Sequence, residues 1–287
     1  MKTINMKHDA RSVAVAAELL SKTDSISFPV LKRETTMNYL LAFAFFVGIY
    51  HVRTADDFDL PDYMHQCDLD SKVFQKCVRE EIEKSLPHFT KGIPKLGVAS
   101  IDPVDLDDIL IDGNGLKLKF TNAQLHGLSK MKLSDFEVEF ADDNEKFNLA
   151  LVANLSLTAK YNADGKILIL PIKGDGDALI KCKNVEVEIA SKLSHVKGDS
   201  GEHFKLTVPN YKYKIQSTNF DLKNLFNGNK QLADTTIQFA NQNWEQLMDE
   251  LAPPVIKQIV KTIVKTINKF FSKITINRMV KGYKKSS

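Results

Sequence analysis

"VIKQIVKTIVKTINKFF", Val255 to Phe271, alternates apolar with polar pairs and places a lysine at every fourth residue. Each residue of an α-helix advances about 100°, so four residues overshoot a turn by about 40°. Between Val255 and Phe271 the apolar stripe therefore winds by roughly 160° around the axis. A two-stranded coiled coil needs a repeat near 3.5, and a period of four departs too far from it. A helix lying on a membrane keeps its apolar face on one side. A winding stripe instead suits a helix enclosed by a curved apolar surface. Lys257, Lys261, Lys265, Lys269 and Lys273 drift with the stripe. They read either as the solvated outer face of a half-wrapped helix or as a strip for phosphate or lipid headgroups.

The middle of the chain supplies such a surface. From Phe147 to Tyr161 every odd position is apolar and most even positions are polar, the mark of a long strand with one face buried. The same alternation joins Leu116, Leu118 and Phe120; Phe136, Val138 and Phe140; and Val185, Val187 and Ile189. It recurs at Phe204, Leu206 and Val208, then at Tyr211, Tyr213 and Ile215. "DGKILILPI" follows an Ala-Asp-Gly turn signal, so Phe147–Tyr161 and Ile167–Ile172 are expected to form a hairpin. One-sided strands imply an antiparallel sheet, and the length of the longest implies that the sheet is tall and bent.

Helices flank these strands. "DSKVFQKCVREEIEKSL" brings Val73, Cys77, Val78, Ile82 and Leu86 to one face, with Asp70 or Ser71 as cap and Pro87 as terminator. "QLADTTIQFANQNWEQLMDEL" reads as a further helix, broken by Pro253 and Pro254 before the opening stretch begins. The fold class is α+β: a highly curved antiparallel sheet around a long C-terminal helix.

The 287 residues are 43% hydrophobic and 26% charged, an ordinary globular composition. A net charge of +3, without an arginine-rich run, gives no footprint for nucleic acid. Residues 39–52, "YLLAFAFFVGIYHV", match the hydrophobic core of a signal peptide and are too short to span a bilayer. Met37 then reads as the working start, residues 37–55 as the signal, and residues 1–36 as an N-terminal extension or a gene-model artefact. Thr54 or Ala55 marks the cleavage edge, although Arg53 is a poor residue for it. The absence of a repeat or linker after residue 56 implies a single domain over 56–287. Cys67 and Cys77 lie ten residues apart. In an oxidising compartment they can close a loop stabilising by about 2–3 kcal/mol. Cys182 reads as a buried free thiol.

The chain shows no nucleophile elbow, zinc-protease helix or phosphate-cradling loop, and its seven histidines are scattered. No cofactor is implied. "GDGDA" at 174–178 lacks the ligand spacing of a calcium loop and reads as a turn between strands. Asn154-Leu155-Ser156 is a glycosylation sequon, with Asn154 on the polar face of its strand. The apolar faces carry more bulk than one helix needs to cover it. Phe120, Phe136, Phe140, Leu151, Leu155, Tyr161, Phe204 and Tyr213 on the strands are candidate walls of an apolar cavity. Trp244, Val255, Ile259, Ile263, Ile267 and Phe270 are the helical candidates. Tyr161, Tyr213 and Trp244 offer hydrogen-bonding handles. Each of these residues equally reads as plain core.

Dispersed landmarks add a resemblance. "CDLDSKVFQKC", "KGIPKLGVASIDP", "LHGLS", "YNADGKILILPIKGDGDA", "FNGNKQLAD" and "NQNWEQLMDEL" occur in the order found in the insect juvenile hormone-binding/takeout family. The chain resembles that family from about Asp59 to Lys273, and its single early cysteine pair is closer to the takeout branch. The resemblance implies a long helix wrapped by a curved sheet, similar to one half of the bactericidal/permeability-increasing and lipid-transfer proteins. It implies a secreted, monomeric carrier of a small hydrophobic ligand, a terpenoid or fatty acid, held in an internal tunnel. It also implies an association with circadian rhythm. A membrane-active protein using the basic helix is the alternative, without stable membrane insertion in either case.

Overall fold

The computed structural model describes residues 2–5, 58–113, 115–140 and 145–284. The signal peptide expected at 37–55 lies outside them, as does the expected extension apart from Lys2–Asn5. In chain order the elements are β1 (Lys2–Asn5), β2 (Cys67–Asp68), α1 (Phe74–Lys91), β3 (Val104–Leu106) and β4 (Ile109–Gly113). Then come β5 (Leu116–His126), β6 (Lys132–Glu139), β7 (Lys146–Ile167), β8 (Leu170–Lys197), β9 (Glu202–Lys214) and β10 (Ser217–Leu222). The chain continues with α2 (Lys230–Gln242), α3 (Trp244–Phe271), α4 (Ile276–Met279) and β11 (Val280–Lys281).

Nine strands form one open sheet, ordered β1-β9-β8-β7-β5-β3, with β6 on β7, β10 on β8 and β4 on β5. Every pair in it is antiparallel. A second, parallel pair joins β11 to β2 and ties the C-terminal segment to Cys67.

The curvature has a local origin. β7 buries its odd-numbered residues from Phe147 to Ala163, and again at Ile167, without a slip. Its neighbours change phase. On β5 burial passes from Leu116, Leu118 and Phe120 to Ala123 and Leu125. A bulge lies there, with Asn122 at φ 51°. On β8 it passes from Ala178 and Ile180 to Val185, Val187 and Ile189, with a bulge at Asn184, φ 43°. On β9 it passes from Phe204 and Leu206 to Tyr211 and Tyr213, again across a bulge. Each extra residue lies on the strand away from β7, or, for β9, away from β8. Such insertions bend a strand and increase its twist, so the sheet curls about its longest members.

α3 runs in the resulting concavity. Leu247, Leu251, Ala252, Ile256, Ile259, Val260, Ile263, Val264 and Phe270 are buried along it, and Lys257, Lys261, Lys265 and Lys269 are exposed. Amide side chains of the helices close the sheet edges. Asn268 accepts from Leu206 N at 2.7 Å and donates to Leu206 O at 2.9 Å. Asn241 does the same for Phe220, and Gln258 for Asp107. Gln75 on α1 pairs in this way with Val138 of β6. Each is a peptide mimic that satisfies an otherwise open pair of backbone groups.

Several expected boundaries move. The β7–β8 hairpin turns at Leu168 and Ile169, not at Ala163-Asp164-Gly165, which lies inside β7 opposite Gly174-Lys173-Ile172. "GDGDA" is likewise part of β8 and not a turn. The glycines are there because backbones approach closely: a Cβ on Gly165 would stand 2.0 Å from Gly115 O. Pro87 does not end α1, which continues to Lys91 and stops at Gly92, φ 87°. Neither Asp70 nor Ser71 caps it; the N-cap is Val73, itself exposed, and Ser71 Oγ accepts from Val73 N at 3.3 Å. Pro253 and Pro254 lie inside α3, and the break expected there falls at Asn243. Buried Leu251, Ala252 and Ile256 flank the two prolines and hold the helix together despite the missing N–H groups.

Candidate functional site

α1 crosses one end of the sheet's concave face. Counting from Phe74, helical steps of three or four residues bring Val78, Glu81/Ile82, Ser85 and Phe89 to the inner side. Opposite them stand Phe136, Phe147, Leu149, Leu151, Leu193 and Phe204 of the sheet, and α3 contributes Ile263, Ile267, Phe270 and Phe271. Between these three layers lies a cavity of about 170 Å³. Its wall is partly aromatic. Phe136 meets Phe147 edge-on at 5.4 Å, Phe204 meets Phe271 at 5.9 Å, and Phe89 meets Phe270 at 5.1 Å. Interlocked rings of this kind hold a wall in shape beyond what their buried area contributes.

The cavity is bounded by two covalent or polar anchors. Cys67 and Cys77 are joined by a disulfide, which fixes the segment carrying Leu60, Met64 and His65 to α1. Behind Phe140 and Phe204, Glu145 accepts from His195 Nε2 at 2.7 Å, and the Tyr283 hydroxyl donates to the same carboxylate. Burial, then the Glu145 hydrogen bond, pushes the Tyr283 phenol up.

A second cavity, of about 50 Å³, lies further toward the N-terminus of α3. It is lined by Phe120, Leu155, Leu157, Ile180, Val255 and Ile259 among others, and by Cys182. Ile259 faces this cavity and Ile263 the larger one, so about 6 Å of helix, one turn, separates them.

The candidates named from the sequence divide accordingly. Phe136, Phe140, Leu151, Phe204, Ile263, Ile267 and Phe270 line the larger cavity. Phe120, Leu155, Val255 and Ile259 line the smaller one. Tyr161, Tyr213 and Trp244 line neither. The Tyr161 hydroxyl donates to Lys223 O at 2.7 Å, and burial, with the charge of Asp175, pushes its phenol up to about 12. The Tyr213 hydroxyl is buried without a hydrogen-bond partner among the described residues. Trp244 opens α3 and packs half-buried on the core. The polar groups at the larger cavity are instead His65, Glu81, Ser85 and Thr266. The sequence does not single out Glu81 and Ser85, because a charged and a hydroxyl residue read as solvent-facing. The signal for them is the regular helical spacing from Phe74 to Phe89.

Cys182, on the wall of the smaller cavity, is a free, half-buried thiol, 3.6 Å from Thr218 Oγ1, and burial pushes its ionisation up. Asn154 is exposed, and its Oδ1 accepts from Asn184 N at 2.8 Å, which fastens the β8 bulge.

Comparison with known proteins places this architecture. The family model for haemolymph juvenile hormone binding protein matches residues 40–281. The circadian clock-controlled protein daywake of Drosophila melanogaster is 31% identical over 207 residues, 68% of this chain and 78% of that protein. A putative beta-carotene-binding protein of Schistocerca gregaria is 22% identical over 214 residues, 74% of this chain and 86% of that protein. The crystal structure of Epiphyas postvittana Takeout 1 superposes with a TM-score of 0.69 at 30% identity, covering 76% of this chain and all of that one (100%). A curved open sheet around a long C-terminal helix, matched in sequence over most of its length, assigns the chain to the haemolymph juvenile hormone binding protein family.

Proposed function

We propose that this chain is a secreted carrier that holds a small hydrophobic ligand, a terpenoid or an acyl chain, in the cavity between α1, the sheet and α3. The observation that carries this reading is the cavity itself: about 170 Å³ lined almost wholly by aliphatic and aromatic side chains, with His65, Glu81, Ser85 and Thr266 as its few polar residues. Such a chamber suits a ligand held by apolar contact and oriented by a few polar atoms. Phe136, Phe140, Leu151, Phe204, Ile263, Ile267 and Phe270 are its proposed contacts. The smaller cavity at Phe120, Leu155, Val255 and Ile259 is proposed to take the far end of a longer ligand once side chains around Ile259 and Ile263 rearrange. The disulfide and the hydrophobic segment at 39–52 support secretion with a signal peptide ending near residue 55. Membrane activity of the basic helix is the weaker reading. The apolar stripe of α3 is buried against the sheet, and among the described residues no helix is long and apolar enough to cross a membrane.

Displacement of an apolar fluorescent probe from the purified chain tests the carrier reading. Saturable displacement by terpenoid or acyl ligands is expected, and absence of binding by every such ligand refutes it. N-terminal sequencing of chain recovered from insect-cell medium tests secretion; a start near residue 56 is expected.

A further inference from the structure

Two of the polar residues on the wall of the larger cavity, Glu81 and Ser85, come from α1. Glu81 and Ser85 lie one turn apart on its inner side, 8% and 3% exposed. Glu81 Oε2 accepts from His65 N at 2.8 Å, and Oε1 accepts from Lys84 Nζ at 2.8 Å. Lys84 reaches the carboxylate from the solvent side, half exposed, and is not part of the cavity wall. The His65 ring is 3.5 Å from Oε1 and stands mostly in solvent. Ser85 Oγ donates its proton to the Glu81 carbonyl, so only acceptor lone pairs remain for a ligand. Burial pushes the Glu81 carboxyl up, but the Lys84 ammonium and the His65 amide outweigh it and hold it below the usual carboxylate range. A ligand polar group that reaches the Glu81 and Ser85 side of this apolar chamber therefore meets a negative charge and acceptor oxygens. A hydroxyl donates to such a group. A carboxylate faces like charge where little water screens it.

Resting on the carrier reading above, we propose that Glu81, with Ser85, is the specificity-determining pole of the cavity. It selects uncharged ligands bearing a hydroxyl donor, long-chain or terpenoid alcohols, over carboxylic acids of the same skeleton. An ester, uncharged but without a donor, ranks between them.

The test is displacement of an apolar fluorescent probe by dodecanol, methyl dodecanoate and dodecanoic acid at neutral pH. The alcohol is expected to bind at least about tenfold more tightly than the acid, about 1.4 kcal/mol. Glu81→Gln removes the charge at nearly constant shape and is expected to collapse that ratio by raising the affinity for the acid. Lys84→Ala, at an exposed position outside the wall, is expected to keep or widen the preference, and serves if Glu81→Gln does not fold. Equal binding of alcohol and acid by the natural chain overturns the proposal. So does an unchanged ratio in Glu81→Gln, or a narrowed one in Lys84→Ala. Tight binding of all three ligands without discrimination refutes the role of Glu81 and leaves the carrier reading standing. Failure of all three, and of every other apolar ligand, removes both.

Discussion

Asp102 shows how single residues hold this molecule together. Its carboxylate accepts from Gly127 N at 3.1 Å and Ser129 N at 2.6 Å, so "SIDP" is fastened to "HGLS" across the sheet end. Gly127 sits at φ 107°, and a Cβ there would lie 2.2 Å from Asn154 O. Two landmarks distant in sequence are thus one physical joint. Burial pushes the Asp102 carboxyl up, but the Ser129 and Gly127 hydrogen bonds outweigh it and hold it below its ordinary 3.8. A carboxyl whose folded pKa is depressed contributes stability above its unfolded pKa and loses it as pH falls through the folded value. Asp102→Ala is expected to cost about 1–2 kcal/mol in urea unfolding at neutral pH, the lower range for charged hydrogen bonds because the group is partly solvated. The gap between variant and natural chain should close as pH falls below the ordinary 3.8 and through the depressed folded value; a gap independent of pH contradicts the role. Gly127→Ala has no such pH dependence. Its positive φ alone costs about 1–3 kcal/mol, and the contact with Asn154 O adds to it, so a melting temperature near the natural one would refute the close approach.

Elements are held in register by the same economy of means. Asn268 offers Leu206 the donor and acceptor that a further strand would have supplied, and it does so from α3. Asn268→Ala leaves both backbone groups of Leu206 without that partner and is expected to cost about 1–3 kcal/mol, measured by urea unfolding. Loss is expected first in the α3–β9 contact, read as faster amide exchange at Leu206 than at Leu193. How far the elements were legible follows from what each signal reports. Alternation reports burial, so β7 covers its odd run and the shorter runs fall on β5, β6, β8 and β9, but a phase slip reads as the end of a run, so β8 and β9 are each longer than the runs that mark them. Asp-Gly reports only that a backbone is permissive. At 164–165 that permission serves a close strand approach, and the hairpin turns at Leu168 instead, φ 54°. Proline reports a missing donor, and α3 tolerates two because burial on both sides outweighs the loss. The cavity's aromatic wall was visible as surplus bulk on the strands. Its polar residues on α1 were not, because the burial of Glu81 depends on α1 crossing the sheet, a tertiary fact absent from local pattern.

At the scale of the whole molecule, an open sheet curled around one helix leaves two kinds of place along that helix. Val260 is 0% exposed and belongs to packed core, whereas Ile263, 5% exposed and three residues on, borders empty space. Burial alone does not distinguish them; the cavity does. Enlarging each in turn therefore separates chamber from core. Val260→Phe forces extra atoms into close-packed surroundings and is expected to destabilise by about 1–3 kcal/mol. Ile263→Phe has room to enter, so its melting temperature should stay near that of the natural chain or rise. A ligand that binds only the folded state adds stability in proportion to the logarithm of its concentration over Kd, about 2.7 kcal/mol at a hundredfold excess. That added stability should persist in any Val260→Phe chain that folds, and should be largely lost in Ile263→Phe, where the side chain takes the ligand's place. Thermal unfolding of the three proteins with and without an apolar alcohol measures both effects at once. If Ile263→Phe were as destabilised as Val260→Phe and still responded fully to ligand, the space beside Ile263 would not be the chamber, and the site would have to be sought at the smaller cavity beside Ile259.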